Sequence, residues 1–196
     1  MKDALKYRLI LMVICVIAAG LLAVVNRVTR PVIIARSEEE KKSSLKEVLP
    51  QAESFEPVKE GDRVLYYGAY DKEKNLIGVA FIASAKGYSS EIETMVGLTM
   101  DGTITAIKIL QQNETPGLGS RVQEVKDDLT LFDAMAGRKS TASSKPWFQQ
   151  QFSGKKLDEL AEVDGISGAT ISSRAVIDSV KKKTEDISQL LKEKGL

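Results

Sequence analysis

The sequence predicts an α+β protein: one N-terminal transmembrane helix, then a twisted antiparallel sheet with packed helices. Three observations predict it. Residues 9–25 are all apolar or Gly20, an unbroken run of about 17 residues. Asp101-Gly102 separates two β-rich alternating runs, a strong hairpin signal. Val176, Ile177, Val180, Ile187, Leu190 and Leu191 fall mostly on one face of a helix.

The apolar run is at the short end of what spans a bilayer, and Tyr7 and Val28 can extend it. A cleaved signal peptide is the rival reading, but the run is long for a signal core and no small-x-small site follows it. Basic residues flank both ends, with Lys2, Lys6 and Arg8 before and Arg27, Arg30 and Arg36 after, so charge alone barely sets orientation. A short N-terminal tail ahead of a large domain favours residues beyond about 30 on the extracytoplasmic side. Residues 37–49 read as a charged amphipathic helix ending at Pro50, and 51–61 as a turn-rich stretch. Strands are expected at 64–70, 76–83, 91–100 and 103–110, with a turn at 71–75. Helices are expected at 121–135 and 178–194. The expected division is a cytoplasmic tail at 1–8, the transmembrane helix at 9–28, a stalk at 29–60, and a folded domain at 61–196.

Composition excludes several chemistries. The net charge of +1 gives no sign of a nucleic-acid surface. The chain has no histidine, which removes a Ser-His-Asp hydrolase and any histidine-ligated metal or haem. Cys15 is the single cysteine, so this chain alone builds no disulfide and no iron–sulfur cluster. Redox chemistry here requires an organic cofactor.

Two polar clusters stand out. Residues 164–173 read Asp-Gly-Ile-Ser-Gly-Ala-Thr-Ile-Ser-Ser ahead of the last helix. Gly168 and Ala169 leave the backbone bare for a bulky phosphate, Ser172 or Ser173 suits an N-cap, and helix-start N–H groups favour an anion. Thr170 offers a hydroxyl there. Residues 114–119 read Glu-Thr-Pro-Gly-Leu-Gly, a tight loop in which Gly117 and Gly119 permit positive φ and close approach of a planar ligand. A polar loop ending in a cap, and an ordinary turn, account for the same residues.

Asp164, three residues ahead of Ser167-Gly168-Ala169-Thr170, and Ser172 beyond it resemble the flavin-attachment motif of the FMN-binding domain family. The 114–119 string and the Gly87-Tyr88 pair resemble those of the family's membrane electron-transport members, chiefly the G subunits of Rnf-type complexes. The resemblance covers about residues 61–182 and the N-terminal helix. Ser90 departs from it, since relatives often have glycine there.

The resemblance implies covalent FMN, esterified through its phosphate to Thr170 by a separate flavin transferase. It implies that Ser167, Gly168, Ala169, Ser172 and Ser173 surround the ester, and that Glu114, Thr115, Leu118 and Tyr88 lie near the flavin ring. Trp147 is a further aromatic candidate, and Asp164 is expected to orient the loop or to hold a divalent cation during flavin transfer. No catalytic residue and no resident metal are expected. The implied role is an electron relay within an ion-translocating ferredoxin:NAD oxidoreductase in a prokaryotic cell membrane, beside other membrane subunits. The equivalent subunit of a sodium-pumping NADH:quinone reductase, a cofactor-free membrane-anchored adaptor and a stand-alone flavoprotein reductase are the alternatives.

Overall fold

The computed structural model describes residues 2–61, 63–125 and 146–195. It divides into two compact units, Met1–Lys42 and Ser43–Leu196. The first is helical throughout, within α1 (Lys2–Val48). Leu9, Leu11, Ile14, Ile17, Leu21, Leu22 and Val25 are all exposed along it. Among the described residues this is the one helix long and apolar enough to cross a membrane, with a mean hydropathy of 2.9 over its most apolar stretch. Pro31 lies inside α1 and has no N–H to donate, yet the helix continues. The separate helix expected at 37–49 is therefore the end of α1, which stops two residues before Pro50.

The second unit is built on a five-stranded antiparallel meander in the order β1-β2-β3-β4-β5. Its strands are β1 (Ser54–Glu60), β2 (Arg63–Tyr70), β3 (Leu76–Lys86), β4 (Glu91–Thr99) and β5 (Ile104–Gln111). The last four match the expected strands within a few residues. β1 falls in the stretch expected to be turns. A bulge between Val58 and Lys59 breaks its alternation, and Pro57 fits because β1 pairs on one side only. Asp71 closes the β2–β3 turn by accepting from the N–H groups of Glu73 (2.8 Å) and Asn75 (2.9 Å).

Both faces of the sheet are covered, as strand alternation requires. Val79, Phe81, Ala83, Val96, Leu98, Ile107 and Ile109 form one core with Val176, Val180, Ile187 and Leu191 of the long terminal helix. Ala69, Ala80 and Met95 pack on the other face against Leu45, Val48 and Leu49. Gly97 permits that second contact, since a Cβ there would meet the Val48 carbonyl oxygen at 2.5 Å. A short helix, α2 (Trp147–Gln150), brings Phe148 and Phe152 into the first core with their rings edge to face, centroids 5.5 Å apart. Just after it the chain pairs with β5, Gly154 N–H donating to Ile104 O (2.8 Å) and Ile104 N–H to Lys155 O (2.9 Å).

The helix expected at 121–135 begins as a 3-10 helix at Gly119–Gln123, and 126–135 lie outside the described residues. The terminal helix, α3 (Thr170–Glu193), starts eight residues before the expected 178–194 span, and its N-cap, Ala169, precedes the expected cap at Ser172 or Ser173. Ser172 and Ser173 are buried on its inner face, so its first turn lacks the apolar periodicity that marks the rest.

Gly97→Ala should destabilise the folded unit by about 1–3 kcal/mol, because backbone rather than a flexible side chain blocks the added carbon. Thermal unfolding of the detergent-solubilised chain measures this, and an unchanged midpoint would show that the end of α1 does not press on the sheet.

Candidate functional site

Three connections converge at one end of the sheet. The β3–β4 turn at residues 87–90 is closed by Gly87 N–H donating to Ser90 O at 2.8 Å. The loop leaving β5 holds Thr115-Pro116-Gly117-Leu118 as a turn, with Leu118 N–H on Thr115 O (3.2 Å). Pro116 sets the first central φ, and Gly117 has φ +74°, as a type II turn demands. The third connection enters α3. Gln151 holds it through Asp164, its Oε1 accepting from Asp164 N–H (2.9 Å) and its Nε2 donating to Asp164 O (3.3 Å). Asp164 thus orients the loop through its backbone; its exposed carboxylate has no partner among the described residues. Gly168 turns the chain with φ +81°, and α3 begins at Thr170.

Between these segments lies a cleft of about 360 Å³ lined by Tyr88, Glu114, Thr115, Leu118, Gly119 and residues 168–172. Its mouth is apolar: Tyr88 is 69% exposed, Ile171 56% and Leu118 49%. Thr170 is exposed on the wall formed by the start of α3. Ala169 occupies the N-cap position, and no side chain caps that end. The N–H groups of Thr170, Ile171 and Ser172 have no partner among the described residues, so the positive end of a 24-residue helix opens into the cleft.

This corrects the expected N-cap. Ser172 and Ser173 lie inside the first turn, and both hydroxyls are engaged. Ser173 Oγ donates to Ala169 O (3.0 Å) and accepts from Ile166 N–H (3.1 Å), facing the core. Ser172 Oγ donates to Glu114 Oε2 at 2.6 Å. Ser167 is exposed, and its carbonyl accepts from Arg121 Nη1 (3.2 Å). Neither Ser167 nor Ser173 lines the cleft. Trp147 also lies elsewhere, half-buried against the core with its ring edge to face with Phe148.

Glu114 is 6% exposed and ionised. Burial opposes its charge, but hydrogen bonds from Ser172 and from the backbone of Ser90, Ser89 and Tyr88 outweigh it and lower the pKa to about 2. Gly119 was expected to need positive φ and does not. Its requirement is space, since a Cβ there would meet Glu114 Oε2 and Ser172 Oγ, each at 2.6 Å. Gly119, read from the sequence as allowing close approach, and Ile171 were not among the expected site residues, and Arg121 was missed as a neighbour of the loop before α3. Only Gly119 carried a signal, through its place in the 114–119 string.

A family model described as the FMN-binding domain matches residues 87–185, from the β3–β4 turn through most of α3, and so spans every wall of the cleft. The chain belongs to the FMN-binding domain family. A second model, the RnfG N-terminal region, matches residues 1–48, the length of α1. Relatives agree over nearly full length. The chain is 30% identical to the G subunit of the ion-translocating oxidoreductase complex of Methanosarcina acetivorans, over 95% of this chain and 96% of that one. It is 30% identical to the G subunit of the Na(+)-translocating ferredoxin:NAD(+) oxidoreductase complex of Acetobacterium woodii (97% and 95% covered). The G subunit of the proton-translocating ferredoxin:NAD(+) oxidoreductase complex of Clostridium ljungdahlii is 28% identical (91% and 88% covered).

Two outcomes are expected of the cleft as built. Gly119→Ala should cost about 1–3 kcal/mol by forcing Glu114 and Ser172 apart, and Gly117→Ala about 1–2 kcal/mol through its left-handed backbone alone. Only the first should disturb Glu114, which amide exchange at residues 88–90 reports. The second outcome concerns pH. Because the folded pKa of Glu114 lies below its ordinary value of 4.5, its contribution is complete above that pH and is lost as pH falls toward about 2. Melting temperatures between pH 5 and pH 2 should therefore fall less steeply in Glu114→Gln than in the parent, and parallel curves would contradict the assignment.

Proposed function

We propose that this chain is the membrane-anchored electron-relay subunit of an Rnf-type ion-translocating ferredoxin:NAD oxidoreductase, with FMN held as a phosphoester on Thr170. One observation carries the reading. Thr170 presents its hydroxyl at the uncapped start of α3, on the wall of the cleft that the FMN-binding family match encloses. The residues fit the group: a cleft of about 360 Å³ is within the range of cofactor sites. An apolar mouth suits a flavin ring, and free helix-start N–H groups suit a phosphate.

When bound, a flavin accepts and donates electrons, which no side chain of this protein does at comparable potentials. The protein supplies the rest. The N–H groups of Thr170, Ile171 and Ser172 hold the ester's negative charge, with helix-end stabilisation of about 0.3–1 kcal/mol, rising toward ~2 kcal/mol where partly buried. Tyr88, Leu118 and Ile171 exclude water from the mouth. Thr170 is a weak nucleophile and needs no permanent activation here, because the family resemblance implies that a separate flavin transferase makes the ester. α1 fixes the carrier at the membrane beside the other subunits, as the names of the full-length relatives suggest. The FMN domain faces the extracytoplasmic side, where a covalent tether prevents loss of a cofactor that could not be replaced from the cytoplasm.

Thr170→Ala, co-produced with the transferase, should lose all fluorescence of the denatured band under ultraviolet light while still folding and inserting. Persisting fluorescence would overturn the assignment. A reporter active only in the cytoplasm, fused after Leu196, should stay silent; activity would reverse the topology.

A further inference from the structure

We propose that Glu114 is the positioning residue of the attachment site, setting the start of α3 through Ser172 rather than serving as a ligand to the flavin; this rests on Thr170 being the acceptor. The carboxylate has no acceptor capacity to spare. Oε1 accepts from Ser89 N–H (3.0 Å), Ser90 N–H (2.9 Å) and Ser90 Oγ (3.2 Å). Oε2 accepts from Tyr88 N–H (3.1 Å) and Ser172 Oγ (2.6 Å). A carboxylate offers about four lone-pair sites and, ionised, no donor. A flavin N–H could gain a bond there only if one of these were broken.

The surrounding backbone is carved to admit this group. A Cβ on Gly87 would stand 2.7 Å from Oε1, and one on Gly119 would stand 2.6 Å from Oε2. Three separate segments, at 87–90, 114–119 and 172, thus close on one charge. Ser172 is 1% exposed and two residues past Thr170, in the same helical turn. Its bond to Glu114 therefore fixes the rotation of α3 about its axis, and with it the direction of the Thr170 hydroxyl and of the free N–H groups. Ser90 tightens the arrangement. Its Oγ donates to Glu114 and accepts from Asn113 N–H (2.7 Å), holding the residue just before Glu114.

The test is a cycle of Ser172→Ala, Glu114→Gln and the double variant, each in the full chain with the flavin transferase. Rates of covalent flavin incorporation are read against the melting temperature. Each single variant should slow incorporation about 10-fold, within the ~100-fold that a 1 Å misplacement can cost. The double variant should be no slower than the slower single one, since both remove the same link. Rates equal to the parent's, or losses that multiply in the double variant, overturn the proposal. Ser90→Gly should slow incorporation less than either.

A second measurement separates failure of this inference from failure of the Thr170 assignment. In unflavinylated Thr170→Ala protein, adding Ser172→Ala should speed amide exchange about 10-fold at residues 88–90 and in the first turn of α3. Unchanged exchange overturns the positioning role whatever residue carries the flavin. A parent chain with no covalent flavin overturns the acceptor assignment, and the exchange result then decides the positioning role by itself.

Discussion

The site depends on one buried negative charge. Glu114 loses hydration on folding, and a carboxylate in that position is stable only while donors replace the lost water. Three backbone N–H groups and two hydroxyls do so, from segments 24 to 58 residues away in sequence. Because charge-assisted hydrogen bonds are short-range and directional, they tie the β3–β4 turn, the β5 exit loop and the first turn of α3 into one body. The cleft is the space this body encloses. Without the carboxylate, the tight glycines at 87 and 119 would line a void instead of making room for a charge.

The rest of the fold brings those three segments to the same place. Antiparallel pairing of β3 with β4 and of β4 with β5 puts the 87–90 turn and the β5 exit at the same end of the sheet. The apolar face of α3 packs over β3 and β4, so its N-terminus arrives at that end as well. On the opposite face the last turn of α1 lies against Gly97 and Met95, and Glu47 there pairs with Lys108 of β5 at 2.5 Å. Residues 43–48, the end of α1, thus belong to the folded unit and complete its second core.

Much of this was legible in the sequence. The apolar run, the Asp-Gly hairpin and the spacing of Val176, Val180 and Ile187 are local patterns with one physical reading, and they yielded the membrane helix, four strands and the last helix. What escaped was set by non-local contact. Ser54–Glu60 has too few apolar residues and a bulge at Val58, and it becomes a strand only because β2 offers an edge. Ser172 and Ser173 carry N-cap chemistry, but the N-cap falls at Ala169, three or four residues earlier, and both hydroxyls turn inward. Gly117 was read correctly as a positive-φ turn, while Gly119 answers to a side chain that reaches it through folding. Eight of the ten expected site residues line the cleft; Ser167 and Ser173 flank it from outside. Glu114 was expected beside a flavin ring; it lines the cleft, but its hydrogen bonds go to the protein itself.

On the proposed reading, a relay protein needs its carrier held in one geometry through repeated changes of charge, and a helix terminus prearranged by a buried carboxylate would supply that with little reorganisation. The central claim is that Thr170 bears the cofactor. Its most direct measurement is mass spectrometry of the protein from its native membrane, first intact and then as fragments. The account predicts a single increment of one FMN less one water, localised by fragmentation to Thr170. An unmodified mass, or the increment on any other residue, would contradict it.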